Sequence, residues 1–247
     1  MGTAVAGVRP VTPTDGSATS AAPALEAEDL YRFYRAGEEE ARALRGVSLT
    51  VRGGELVAVT GPSGSGKSTL LACLAGLEEP SGGTVRVAGR RISHRPESER
   101  AALRAELVGV LWQTGNLVEH LDVADNVTLA RALHRGRRLA RPRPGRSVVD
   151  LLAAVGLGAR ARSLPSQLSG GELARAGLAV ALANGPRVLL ADEPTGELDS
   201  ATESSVLALL RDLADDGVAV LVVTHSATVA RAADRRIVLA DGKEVAA

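Results

Sequence analysis

Aromatic residues are nearly absent from this chain. Its 247 residues include one Trp, two Tyr and one Phe, or 2% aromatic, against 45% hydrophobic overall. A core of normal size therefore has to be built from Ala, Val and Leu. Cysteine is just as scarce. Cys73 is the only one, which excludes an internal disulfide, and no cysteine cluster suggests a metal site. A small buried side chain on a helix is its simplest reading, and a reducing compartment its simplest setting. Excess charge of one sign is missing too. Lys+Arg and Asp+Glu both number 29, so the chain lacks the basic surplus usual in nucleic-acid binders. Within the positive charge, lysine is rare: only Lys67 and Lys243 occur. A chain that otherwise uses Arg has kept Lys at 67, which points to a position needing an ammonium group. No apolar run approaches the ~18–20 residues of a membrane span. No basic segment followed by an apolar stretch opens the chain, so no secretory signal is expected.

What is present has an order. Residues 1–25 are rich in Ala, Pro, Thr, Ser and Gly and read as a disordered leader. From about Glu26 the pattern becomes that of a folded domain, residues 26–247. Strands are expected at Gly46–Arg52, Leu56–Thr60, Thr84–Val87, Arg91–Ser93, Val108–Trp112, Arg187–Ala191, Val218–Thr224 and Ile237–Ala240. Helices are expected at Ser68–Leu77, Glu97–Glu106 and 200–214. Apolar strands alternating with helices predict an α/β fold with a mostly parallel sheet. The stretch from Val123 to Leu164 is helical in character, broken at Arg141-Pro142-Arg143-Pro144-Gly145, and reads as an insertion over roughly 115–168. Arg131–Arg146 holds seven arginines and reads as a solvated helix and loop.

Gly61-Pro62-Ser63-Gly64-Ser65-Gly66-Lys67-Ser68 fits G-x-x-x-x-G-K-[ST], with a strand before it and a helix after it. Such a loop curls its amide groups toward a phosphate, and the helix adds its positive end. Lys67 is expected on the β- and γ-phosphates and the Ser68 hydroxyl on Mg²⁺, with Thr69 alongside. Further on, Arg187–Ala191 is an apolar strand that ends in two acids. Asp192 is placed to hold Mg²⁺, and Glu193, one residue beyond, to polarise the water that attacks the γ-phosphate. These elements alone leave kinases, GTPases and many ATPases open.

Leu168-Ser169-Gly170-Gly171-Glu172 narrows the choice, because it resembles the signature sequence of the ABC ATPases. The resemblance extends over roughly residues 27–245, with further elements in the family's order. Tyr34 matches the aromatic that stacks on adenine, although Tyr31 and Phe33 are close by. Gln113 matches the glutamine that contacts Mg²⁺ or the attacking water. Glu197-Leu198-Asp199 match the loop after the acidic pair, and His225 the histidine that contacts the γ-phosphate. The resemblance implies a P-loop NTPase core, an antiparallel β subdomain and a helical subdomain. It also implies ATP and Mg²⁺ as ligands. Ser169, Gly170, Gly171 and Glu172 would act in trans on ATP held by a second copy or a homologous subunit. The chain would work as the transport-coupled ATPase beneath a separate transmembrane permease, peripheral on the inner face of the cell membrane, with no nucleic acid. That permease is expected to dock near Asn116–Asp125.

Within the family the chain looks like the lipoprotein-release and macrolide-export group. It ends soon after the last expected strand, so the C-terminal regulatory domain of many importers is not expected. Three residues depart from the family pattern: Glu172 where Gln is usual, Val180 where Arg is frequent, and Glu197 where a small or neutral residue is usual. Ser169-x-x-Glu172 also reads as a capping box, so the Glu172 side chain is expected to turn back to the helix start. A soluble iron–sulfur assembly ATPase is the alternative reading.

Overall fold

The computed structural model describes residues 22–36, 39–135, 147–196 and 198–245. Residues 1–21 of the leader read at 1–25, the arginines from 137 to 146 and Glu197 lie outside the described residues. Two sheets organise the chain. Strands β1 (Leu25–Ala36), β2 (Glu39–Val51), β4 (Gly82–Val87) and β5 (Arg90–Arg91) form an antiparallel sheet in the order β2-β1-β4-β5. The second sheet has six strands in the order β10-β9-β3-β8-β7-β6. These are β3 (Leu56–Thr60), β6 (Val108–Leu111), β7 (Val188–Asp192), β8 (Ala219–Val223), β9 (Arg235–Ala240) and β10 (Lys243–Val245). All its pairings are parallel except β10 with β9.

The short apolar runs in the sequence follow from the place of these strands. Strands β3, β7 and β8 are covered on both faces, so both sets of alternate residues must be apolar. Val57, Val59, Val188, Leu190, Leu221 and Val223 enter one core with β1, β2 and β4. Leu56, Leu189, Ala191, Val220 and Val222 enter the other, against the helices. Helix α1 (Lys67–Leu74) buries Leu70, Leu71, Cys73 and Leu74 in the first core. Full burial of each Leu is worth roughly 1.5–3 kcal/mol. No fully buried core residue among those described is aromatic, as the composition requires. Burial pushes the Cys73 thiol up to about 12, which makes it an inert packing group.

Between β6 and β7 the regular elements among the described residues are helices: α3 (Val123–Arg135), α4 (Val148–Ala154), two single 3₁₀ turns and α5 (Gly170–Ala181). Helices α2 (Glu97–Leu107), α6 (Ser200–Asp215) and α7 (Ala227–Ala232) complete the fold. Some boundaries differ from the sequence reading. β1 starts at Leu25, fully buried and inside the stretch read as leader. Helix α1 stops at Leu74 because the chain turns at Gly76 with φ 66°, where the Leu77 amide reaches back to the Ala72 carbonyl. β5 covers Arg90–Arg91, and the Ser93 hydroxyl accepts from the Val85 amide instead of extending that strand.

Candidate nucleotide site

Four strands end level. Val59 of β3 and Asp192 of β7 both stand opposite Val223 of β8, and Leu111 of β6 stands opposite Ala191. The loops leaving their carboxyl ends therefore converge on one edge of the parallel sheet, where α/β folds place their ligands. The loop after β3 is Gly61–Gly66. Gln113 lies two residues past β6, Asp192 closes β7, and His225 lies two residues past β8.

The phosphate loop leads directly into α1. Gly66 caps the helix with φ 99°, and a Cβ there would sit 2.3 Å from the Ala43 carbonyl oxygen, so only glycine fits. The first intrahelical bond runs from the Leu70 amide to the Gly66 carbonyl, which leaves the amides of Lys67, Ser68 and Thr69 without intrahelical acceptors. Pro62, Ser63, Gly64 and Ser68 are exposed, and Ser65 is buried with an unpartnered hydroxyl. Lys67 is 7% exposed, and its ammonium donates to the carbonyls of Gly61 and Pro62, both at 2.9 Å. Burial lowers its pKa, against the opposing pull of Glu193 and Asp192.

The acids face this ammonium. Burial raises the Asp192 pKa and the Glu193 carboxylate adds to the rise. Ser68, Lys67 and His225 pull it back. Glu193 adopts φ 46°, unusual for a residue with a side chain. Its amide donates to the Val223 carbonyl at 2.9 Å, which fixes it to the end of β8. Its Oε2 accepts from the His225 amide at 3.1 Å. Its Oε1 is buried and makes no hydrogen bond, although the His225 Nε2 stands 3.5 Å away. A buried acceptor with a free lone pair can take a proton.

Gln113 is exposed and makes no hydrogen bond among the described residues. Its Nε2 lies 3.8 Å from where a Cβ of Gly196 would be. It borders a cleft of about 740 Å³ that includes Trp112, Leu117, His120, Leu164 and Leu173. The signature starts α5 at the surface. Ser169 is the N-cap, its hydroxyl accepts from the Glu172 amide at 3.3 Å, and Glu172 Oε2 accepts from the Ser169 amide at 2.9 Å. No hydrogen bond or ion pair joins Ser169, Gly170, Gly171 or Glu172 to residues 61–69 of the same chain. Val180 is half-buried near the end of α5, packed against the core beneath the helices.

Residues 44–196 match the ABC transporter family. The chain belongs to that family. It is 45% identical over 222 residues to the macrolide export ATP-binding/permease protein MacB 1 of Yersinia pestis bv. Antiqua (strain Antiqua), covering 90% of this chain and 34% of that protein. It is 44% identical over 224 residues to MacB of Salmonella typhi, with the same coverage. The chain thus spans about a third of the length of the curated relatives it matches. Among solved structures, a dimeric post-hydrolysis state of the ATP-binding cassette MJ0796 bound to ADP and Pi superposes with a TM-score of 0.80. The two share 34% identity, covering 90% of this chain and 97% of that one.

Several residues that shape this ABC cassette carry no motif. Asn116 braces the loop after Gln113 by exchanging hydrogen bonds with both backbone groups of Trp112, at 2.8 and 2.6 Å. Buried Asn126 holds the carbonyls of Val118, Leu121 and Asp122. Both act on backbone groups, which have no side-chain identity to search for. Asp199 caps α6 through the amides of Ala201 and Thr202. Leu198 is half-buried beside it and packs under Gly170. Arg160 was not anticipated. Its Nε donates to Glu172 Oε1 at 2.9 Å, so the acid that departs from the family's Gln is held by the cap and by an arginine of its own chain. The Ser169 amide, then Arg160, hold the Glu172 carboxyl below its ordinary value of 4.5. A depressed carboxyl stabilises the fold above its unfolded pKa and loses that contribution as pH falls through its folded value. Glu172→Ala is expected to lower the Tm by about 2–4 °C at pH 7. The difference from the parent should shrink as the pH is taken below 4.5. Glu172→Gln should leave ATP affinity unchanged in a titration, since the side chain faces its own cap; a large gain would show that the carboxylate faces nucleotide.

Tyr34 stands at the other end of the site. Its hydroxyl donates to Glu78 Oε2 at 2.5 Å and lies 3.5 Å from Thr69 Oγ1, one residue past Ser68. Tyr31 is exposed on the same strand, 6.1 Å from Phe33 between ring centroids. Neither of those two reaches the phosphate loop through a hydrogen bond.

Proposed function

We propose that this cassette hydrolyses ATP to drive a separate membrane-spanning permease, and that it does so as a head-to-tail pair of chains. The observation that carries the reading is the convergence of Lys67, Ser68, Asp192, Glu193 and His225 at the level ends of β3, β7 and β8. In this reading the loop amides and the Lys67 ammonium bind the β- and γ-phosphates. Tyr34 stacks on adenine. Glu193 takes a proton from the attacking water through its free Oε1, while the His225 amide holds the other oxygen. The His225 ring contacts the γ-phosphate, and Gln113 orients the water or contacts the metal.

Mg²⁺ fits the donor set. The Ser68 hydroxyl, in the first turn of α1, and the Asp192 carboxylate, at the end of β7, offer hard oxygens, and Asp192 carries a burial penalty that a divalent cation offsets. No group of three or more His, Cys, Asp or Glu side chains forms a cage among the described residues. That suits an ion bound by one or two protein oxygens together with phosphate and water. Bound there, the ion would neutralise charge on the phosphates.

Two features support the assembly. Ser169 and Gly170, at the start of α5, are exposed, and the signature makes no polar contact with its own phosphate loop, as a group acting on a second chain's nucleotide would. The permease has support in the MacB relatives, which are named ATP-binding/permease proteins, and of which this chain spans about a third. No helix among the described residues is long and apolar enough to cross a membrane. The cleft beside Gln113 and Asn116 is where such a permease would insert a helix, and the whole complex would sit at the inner face of the membrane. The test is ATP turnover as a function of protein concentration. A two-chain site predicts specific activity that rises with concentration and then saturates. Constant specific activity, in a chain shown by light scattering to be monomeric, would rule out the paired site.

A further inference from the structure

We infer that Arg32 and Glu78 are positioning residues that hold Tyr34 as a one-sided platform for the adenine base; this rests on reading Tyr34 as the base-stacking residue. Three contacts fix the ring. The Arg32 guanidinium lies over one face, its central carbon 4.6 Å from the ring centroid. The Tyr34 hydroxyl donates to Glu78 Oε2 at 2.5 Å, and Arg32 Nε donates to the same oxygen at 3.1 Å. The hydroxyl also lies 3.5 Å from Thr69 Oγ1. A tyrosine on a strand otherwise turns about two side-chain bonds. Here the hydroxyl is tied down at its tip and the cation occupies one face. The opposite face is the one a second planar group would use.

Arg32 shares β1 with the ring, but the two residues at the hydroxyl are not on that strand. Thr69 lies in the first turn of α1. Glu78 follows the end of α1, where its amide donates to the Ala72 carbonyl. The helix that presents Lys67 and Ser68 to the phosphates therefore also sets the position of the base platform. The distance between base site and phosphate site is fixed by one rigid element, and ring order is paid in the folded protein and not on binding.

The test uses the full chain and two probes, ATP and inorganic tripolyphosphate, each with Mg²⁺, by titration calorimetry. Glu78→Ala and Arg32→Ala are expected to weaken ATP about three- to ten-fold, the value of one lost anchoring bond. Tripolyphosphate, which has no base, should bind as to the parent. Glu78→Gln, which still accepts from the Tyr34 hydroxyl, should recover part of the loss. Tyr34→Ala combined with Glu78→Ala should be no weaker than Tyr34→Ala alone, because both act on one contact. If Tyr34→Ala weakens ATP while the Arg32 and Glu78 variants do not, the positioning role is wrong and the platform stands. If Tyr34→Ala leaves ATP affinity unchanged, the platform itself is wrong. Parallel loss of both probes would mean that Arg32 and Glu78 act through the phosphate loop or the fold, and would overturn the proposal.

Discussion

Replacing Glu193 by Gln is expected to lower steady-state ATP turnover by about two to four orders of magnitude while ATP still binds. The substitution is nearly isosteric. Its amide oxygen can keep the acceptor role that Glu193 Oε2 has toward the His225 amide at 3.1 Å. What is lost is the basic oxygen, the buried Oε1 that makes no hydrogen bond of its own. Binding should survive for an electrostatic reason as well. Glu193 is the nearby charge that pushes the Asp192 pKa up, and Gln removes that repulsion, so Asp192 ionises more readily beside Ser68. With hydrolysis blocked, ATP acts as a ligand of the closed pair and shifts the population toward it. Light scattering in ATP and Mg²⁺ should therefore report a dimer for Glu193→Gln and a shorter-lived one for the parent. Turnover within three-fold of the parent would remove Glu193 as the base. A monomer in saturating ATP would remove the paired site.

How well each part could be read from the sequence depended on whether its physics leaves a mark on residue order. The central strands did, because β3, β7 and β8 are covered on both faces and so appear as unbroken apolar runs. The phosphate loop did, because Gly66 has a single chemical solution at φ 99° against the Ala43 carbonyl. Helix α5 did, because its cap is made by two side chains three residues apart. The antiparallel sheet was legible only in part. β1 shifts register between Ala27 and Leu30, between Leu30 and Tyr31, and between Arg32 and Phe33, and Asp29 takes φ 48°. Each bulge resets the alternation that marks a strand, so from residues alone only Gly46–Arg52 of the β1–β2 ribbon stood out. β10 has three residues, all exposed, and α7 has six, too few for a period. Within the site, Lys67, Asp192 and Glu193 carry motifs. Arg160, Arg32 and Glu78 do not, since their roles come from contacts 12, 2 and 44 residues away along the chain.

Lys67→Ala carries the second large effect, and it separates binding from chemistry in the opposite sense to Glu193→Gln. Lys67 is 7% exposed, and its ammonium holds two neutral carbonyls of its own loop. Burial depresses its pKa against the pull of Glu193 and Asp192, and the group stands between those two acids and the place where phosphate would enter. Phosphate oxygens are stronger acceptors than carbonyls, so the ammonium gains by exchanging one for the other. Charge-assisted bonds contribute about 1.5–3 kcal/mol each, and losing one or two weakens ATP binding by about ten- to ten-thousand-fold. Turnover falls with it, because the same cation would stabilise charge on the transferring phosphoryl group. Lys67→Arg should not restore activity. The planar guanidinium is larger than an ammonium, and the slot it must fill is closed by the carbonyls of Gly61 and Pro62. A loss of fold would mimic the loss of function, so the Tm without nucleotide has to stay near the parent value. In Glu193→Gln the ATP-dependent rise in Tm should persist, and in Lys67→Ala it should disappear. A Lys67→Ala chain that keeps both the thermal shift and its turnover would leave the residues of the phosphate loop without their assigned role, whatever the fold around them.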